Sequence, residues 1–222
     1  ADTHLSFASN KPMDDFEGWL NYTDRLKENW NKIIDDKDYV VIAGDISWAM
    51  NFDELKADFD YINRLNGKKI ILKGNHDYWW NTMSKMNKFI EENNFNTISI
   101  LHNNAFDFDD FSVCGSRGWF FDSDEEQNEK VLNREVMRIK TSIESALNCE
   151  KIVFLHYPPV YENQCCEEIV NLLKEKGIKK CYYGHIHGVA AKYAFDDNYD
   201  GIDFKLISAD RLNFMPLLIK KF

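Results

Sequence analysis

The segment Gly74-Asn75-His76-Asp77 sets an amide, an imidazole and a carboxylate at successive positions behind a β-rich apolar run, Lys69 to Leu72. A strand ending in such a turn presents polar groups at the carboxyl edge of a sheet, where open α/β proteins bind ligands. Gly74 permits the sharp backbone course that this turn needs. Three other predicted strands end in the same way: Tyr39–Ala43 in Gly44-Asp45, Lys151–Leu155 in His156, and 179–183 in Gly184-His185-Ile186-His187. Asp2 and His4, at i and i+2, share one face of an extended segment and fit a fifth strand end. Of the six histidines only His102, read as a turn residue, lies outside these sets. One strand-end histidine is usually structural, but five together point to a shared site. Imidazoles mixed with carboxylates and an amide oxygen suit divalent Mn, Fe, Zn or Co, whereas all-oxygen sites suit Mg or Ca. Two such ions about 3.5–4 Å apart clamp a phosphoryl group and generate hydroxide near neutral pH. One carboxylate can bridge both.

The elements that must position these residues follow from periodicity. Pro12 and Asp14-Asp15 open a helix predicted over roughly 14–36, with Trp19 and Trp30 in the core. Tyr39–Ala43 is a continuous apolar run of the kind found in buried parallel strands. Helices are predicted near 51–66 and 82–93, flanking strand 69–72. Strand-like pieces at 97–101, 105–108 and 111–115, with Asp109-Asp110 as a hairpin turn, suggest a meander. The longest helical pattern covers 124–148. Strand 151–155, a helix near 165–176 stopped at Gly177, and strand 179–183 come next. Two tail strands are predicted near 203–208 and 214–220. The polar loop Asp196-Asp197-Asn198-Tyr199-Asp200-Gly201 is either a plain turn or a calcium loop, and the turn is favoured. There is no repeat, linker or low-complexity tract, and 222 residues suit one α/β domain spanning 1–222.

The net charge is −10, from 37 acidic and 27 basic residues, which argues against a broad nucleic-acid-binding face. Nucleotides stay open as ligands, because bound metal reverses charge locally. The five cysteines form no CxxC pair, the usage of a reduced, intracellular protein. No apolar run approaches the ~18 residues of a membrane span, and no signal-like segment opens the chain. Cytoplasm is the expected compartment, and oligomeric state is left open. The chain starts at Ala1-Asp2 without Met, so a strand leading into Asp2 is expected to be missing or trimmed.

In order, Asp2-Thr3-His4, Gly44-Asp45, Gly74-Asn75-His76-Asp77, His156 and Gly184-His185-Ile186-His187 resemble the signature of the calcineurin-like metallophosphoesterases. That signature reads D-x-H, GD, GNHD, a lone His and GHxH. The resemblance spans nearly the whole chain. It implies two stacked mixed β-sheets between helical layers, with the site at strand C-termini. It further implies that Asp2, His4 and His187 hold one metal, that Asn75, His156 and His185 hold the other, and that Asp45 bridges them. Manganese is the favoured ion. His76 would contact the phosphate and either protonate the leaving oxygen or help place transition-state charge, and Asp77 would orient His76. The implied activity is hydrolysis of a phosphomonoester or phosphodiester by metal-activated water. The substrate would be a phosphorylated small molecule, a nucleotide or a phosphoprotein. The alternative is an inactive scaffold of this fold that binds a protein partner.

The stretches Gly44–Met50, Asn75–Trp80 and Gly115-Ser116-Arg117-Gly118-Trp119 are similar to a bacterial branch described only as predicted phosphohydrolases. There Arg117 either grips a phosphate bidentately or makes an ordinary ion pair. Trp48, Trp79, Trp80 and Trp119 wall the pocket or simply pack, with packing favoured for each. Arg211 is an unplaced candidate.

Overall fold

The computed structural model describes residues 1–119 and 129–221. Two sheets carry the site. The first holds β1 (Tyr39–Ala43), β2 (Lys68–Leu72) and β3 (Ile98–Ile100), all parallel, in the order β1-β2-β3. The second is six-stranded and mixed. Its members are β4 (Phe106–Asp107), β5 (Phe111–Ser116), β6 (Glu150–Leu155), β9 (Lys180–Tyr183), β10 (Asn198–Tyr199) and β11 (Ile202–Leu206), and its order is β10-β11-β9-β6-β5-β4. Between β6 and β9, β7 (Val160–Tyr161) and β8 (Gln164–Cys165) form a small hairpin. The helices are α1 (Tyr22–Ile33), α2 (Phe52–Arg64), α3 (Met83–Glu92), α4 (Glu129–Glu144) and α5 (Glu167–Glu175).

The alternation of side chains along each strand builds the layers. Ile42 and Ile71 pack with Leu26, Trp30, Leu55 and Phe59 on one face of the first sheet. Ala43, Ile70 and Leu72 turn the other way and meet Ile152 and Phe154 between the sheets. Val153, Leu155 and Cys181 then face Ile139, Ile143 and Ile169 on the outside. The result is the expected helix–sheet–sheet–helix sandwich, with the first sheet purely parallel rather than mixed.

Several local expectations are corrected. Helix α1 starts at Tyr22 rather than near 14, because Gly18 (φ 85°) and Asn21 (φ 54°) turn the chain left-handed. Trp19 and Trp30 are nonetheless core. Residues 97–101 do not join a meander: β3 pairs with β2, and only β4 and β5 form the hairpin. The predicted strand at 214–220 is absent among the described residues, where Asn213 and Phe214 turn with positive φ and Pro216 lacks a donor. The first five residues of the helix predicted over 124–148, 124–128, lie outside the described residues. Asp196–Gly201 contains the short strand β10 and a turn closed by Gly201 N donating to Asn198 Oδ1 at 3.1 Å.

Residues 2–5 run alongside the end of β1: the amides of Asp2, His4 and Leu5 donate to the carbonyls of Gly44, Asp45 and Ile46 at 2.9–3.0 Å. Behind them an apolar groove of about 930 Å³ separates β1 from residues 215–221. No helix among the described residues is long and apolar enough to cross a membrane.

Candidate metal centre

All five motif segments converge at the carboxyl ends of the strands. Two glycines allow the approach. A Cβ on Gly74 would fall 2.1 Å from Asp45 Oδ1, and one on Gly44 would fall 2.7 Å from both Gly74 Cα and His156 Nδ1. The backbone turns sharply at the ligands too, with positive φ at Asp2, His4, Asp45 and His185. Such conformations cost free energy in non-glycine residues and collect at functional sites.

Asp45 lies at the centre, fully buried. Its Oδ2 is 3.8 Å from His4 Nε2 and 3.5 Å from His156 Nε2, while its Oδ1 accepts the His76 amide at 2.8 Å. Two groups of ligand atoms share it: Asp2, His4 and Asp45 within 4.8 Å of one another, and Asp45, His156 and His185 within the same span. Asn75 Oδ1 is 2.7 Å from His156 Nε2 and 3.0 Å from His185 Nδ1. The His187 ring packs edge-on against His4 at 5.2 Å between centroids. The structure therefore brings together Asp2, His4, Asp45, Asn75, His156, His185 and His187.

These residues fit divalent cations on their own chemistry. Both ring nitrogens of His4 are buried with no hydrogen-bond partner, which is costly unless a ligand takes them up. His156 Nδ1 is 3.0 Å from the Ala43 carbonyl, the contact that fixes a ligating imidazole with Nε2 facing the centre. Burial holds the imidazoles neutral: His4 well below its ordinary value, His156 down to about 3 and His185 to about 4. Burial, then Asp77 and Asp2, push Asp45 well above the carboxylate range.

This gives a signed pH expectation. The depressed imidazoles keep their lone pairs free as pH falls through 6.5, whereas the raised carboxyl of Asp45 takes up a proton early. As pH falls, a cation must therefore displace a proton from Asp45 before it has to displace one from histidine. Calorimetric titration with Mn²⁺ in two buffers of different ionisation enthalpy should count net proton release at about pH 5.5, and less at about pH 7.5. Equal release at both would contradict this.

Asp77 departs from its expected place. Its carboxylate accepts the amides of Gly74 (2.7 Å), Ile46 (2.9 Å), Asp45 (3.0 Å) and Ser47 (3.3 Å), and it is wholly buried. It braces the Asp45 turn, and the contact expected from it to His76 is made instead by Tyr78. The Tyr78 hydroxyl lies 3.1 Å from His76 Nδ1. Burial outweighs the amides and raises Asp77 to about 6. Asp77→Ala would strand several buried amides, so a loss of about 3–4 kcal/mol is expected in denaturant unfolding of metal-free protein. A loss under about 1 kcal/mol would show that the amides find other partners.

Around the ligands, Trp48 is the tryptophan that walls the site: its ring stacks on His4 at 4.9 Å and tilts toward His76 at 4.5 Å. Trp79 and Trp119 are core, and the half-buried Trp80 packs against Trp79 and His102. Lys11 lies over the Trp48 ring at 4.8 Å. His102 sits in the turn after β3, where its amide donates to Asn104 Oδ1. Arg211 pairs with Asp196 at 3.6 Å. Its neighbour Asp210 accepts the Gly188 amide at 2.6 Å and so braces the loop that carries His187. The reading of the sequence missed Tyr78 and Asp210. Tyr78 stands two residues after His76, the same spacing that relates Asp2 to His4, and could have been found on that ground. Arg117 follows β5, with its guanidinium 5.6 Å from the Tyr157 ring, whose edge meets His185.

The calcineurin-like phosphoesterase family model matches residues 1–189, and the chain belongs to that family. The clustered Asp and His residues are of the kind that could hold metal ions. Over 82 residues the chain is 34% identical to "Uncharacterized protein MJ1445" of Methanocaldococcus jannaschii, a match covering 35% of this chain and 44% of that protein. The chain thus spans less than half the length of that relative. A solved crystal structure at 14% identity has a TM-score of 0.52 over 85% of this chain and 86% of its own, a likeness of fold alone. A protein of unknown function from Aquifex aeolicus, AQ665, is 15% identical with a TM-score of 0.49, covering 97% of this chain and 91% of that one.

Proposed function

We propose that residues 1–222 act as one domain, a two-metal phosphohydrolase cleaving a phosphomonoester or phosphodiester with water. The observation that carries this reading is Asp45, one buried carboxylate shared by two sets of ligand atoms. In this reading Asp2, His4 and His187 would hold one ion, Asn75, His156 and His185 would hold the other, and Asp45 would serve both. Manganese is the first choice, with Fe, Zn and Co chemically equivalent. Bound there, two divalent ions activate water and offset charge on the phosphoryl group.

The chain's own residues do the rest. The Asn75 amide, with its oxygen turned to His156 and His185, keeps its N–H₂ for a phosphoryl oxygen. His76 is held below its ordinary pKa, by burial first and then by His187. A neutral ring suits a hydrogen bond to the leaving oxygen better than outright proton delivery. With the Tyr78 hydroxyl donating to Nδ1, the ring carries its proton on Nε2, where it offsets the charge that develops as the bond breaks. Arg117 grips an anionic group of the substrate. Trp48 gives an aromatic or apolar leaving group a surface to lie on. Phosphorylated small molecules, nucleotides and phosphoproteins all fit this reading, and the cytoplasm is the compartment it favours.

The experiment is turnover of p-nitrophenyl phosphate and bis-p-nitrophenyl phosphate by the Mn²⁺-loaded protein. Hydrolysis of at least one is expected. No turnover of either, with both ions bound, would overturn the enzyme and leave the inactive protein-binding scaffold.

A further inference from the structure

Both peptide groups that flank His187 are held by one distant segment. The carbonyl before it, on Ile186, accepts Ser208 Oγ at 2.7 Å, and Ser208 is fully buried. The amide after it, on Gly188, donates to Asp210 Oδ2 at 2.6 Å. With both peptides fixed, the backbone torsions of His187 have little freedom, and the rotamers open to its ring follow from them. The chain turns out to solvent at this point. Gly188, Val189 and Ala190 are exposed, Gly188 has a φ of 60°, and the short 3-10 helix Gly188–Tyr193 starts without a side-chain cap.

The same segment reaches the other ligands of that half. The Ala1 nitrogen donates to the Ile207 carbonyl at 3.0 Å, and the Ala209 amide donates to the Ala1 carbonyl at 2.9 Å, immediately before Asp2. Phe214, whose amide donates to the Ala209 carbonyl at 2.7 Å, packs edge-on against Trp19 at 5.1 Å. Trp19 stands 6.0 Å from the His4 ring and 6.2 Å from the His187 ring. The remaining ligands are anchored elsewhere. The His156 amide donates to the Arg117 carbonyl at 3.1 Å, and Asn75 follows the Gly74 amide that Asp77 accepts at 2.7 Å. His185 shares the loop of His187 but has anchors of its own. Its amide donates to the Asp2 carboxylate at 3.0 Å, and the Ile186 amide after it donates to the Gly184 carbonyl at 2.8 Å.

We propose that Ser208 and Asp210 are positioning residues for one ion alone, that of the Asp2–His4–His187 half. Neither belongs to a ligand group, and both act through the backbone on either side of His187. This rests on the two-ion reading above and deepens it: the halves are supported separately, so they can be weakened separately. Both residues lie beyond 1–189, outside the family match.

The test is calorimetric titration of metal-free protein with Mn²⁺, with electron paramagnetic resonance spectra recorded along the titration. Wild-type protein is expected to take up two ions and to end as a spin-coupled pair. In Asp210→Ala one dissociation constant should rise roughly tenfold while the other stays within about twofold. Intermediate Mn²⁺ should then give the hyperfine-split spectrum of a lone ion. Asp210→Asn keeps an acceptor for the Gly188 amide and should stay within about threefold of wild type. Asp210→Ala added to His187→Ala should cost little further affinity, because the brace acts through that imidazole. Ser208→Ala, a smaller change, should act in the same direction as Asp210→Ala and carries the test if that variant does not fold. Two constants that rise together, constants that do not move, or a loss that adds in full to that of His187→Ala would overturn the proposal. Any of these in a protein whose wild type binds two ions removes the proposal alone. Wild-type protein that binds one ion or none removes the two-ion reading and the proposal with it.

Discussion

Asp45→Asn is expected to cost the protein both metal ions. Each ligand group contains this carboxylate, and its Oδ2 stands between His4 and His156 at 3.8 and 3.5 Å. An amide keeps the size but loses the charge that offsets two divalent cations, and one of its atoms becomes a donor facing them. Turnover should fall by roughly 10³-fold or more, because several kcal/mol of charge stabilisation leave with the ions. Metal analysis after gel filtration, beside p-nitrophenyl phosphate kinetics, reads both effects. Loss of one ion alone would mean that the two groups are independent mononuclear sites. The fold should survive, since the turn around Asp45 is held by Asp77 through backbone amides rather than by the Asp45 side chain alone.

His76→Ala is expected to do the opposite: both ions stay and the chemistry slows. The ring is half-buried beside Trp48 and Tyr78, 5.8 Å from His4 between centroids, and it belongs to neither ligand group. A positioned proton-bearing group typically contributes about 10²–10⁴-fold, so kcat should drop by that factor while metal content is unchanged. Tyr78→Phe should lower kcat by a smaller factor, about tenfold or less, because it removes only the group that orients the ring. A His76→Ala protein that loses metal, or that keeps full kcat, would contradict this division of labour.

Much of the site was legible in the sequence, and for a physical reason. Buried parallel strands such as Tyr39–Ala43 and Glu150–Leu155 are continuous apolar runs, so the first polar residue after each marks the sheet's edge. Asp45, Asn75, His156 and His185 could therefore be placed side by side before any coordinates. What escaped depends on contacts between segments far apart in the chain. Asp77 braces amides some thirty positions earlier, and nothing in the local pattern around Asp77 distinguishes that role from orienting its neighbour His76. Asp210 reaches Gly188 across a loop, again without a local signal. Helix α1 was drawn too long because Phe16 and Leu20 continue the apolar spacing although both are exposed, at 59% and 66%. Backbone turns at Gly18 and Asn21 decide that boundary, not hydrophobic period. The tail beyond Asn213 was read as a strand from its apolar residues, but Pro216 and a positive-φ turn hold it out of both sheets.

The direct measurement is anomalous diffraction from crystals grown with Mn²⁺. Two peaks about 3.5–4 Å apart, one on each side of the Asp45 carboxylate, are the predicted result. A single peak remote from Asp45, or none at full Mn²⁺ saturation, would contradict a paired-ion centre at the edge of these sheets.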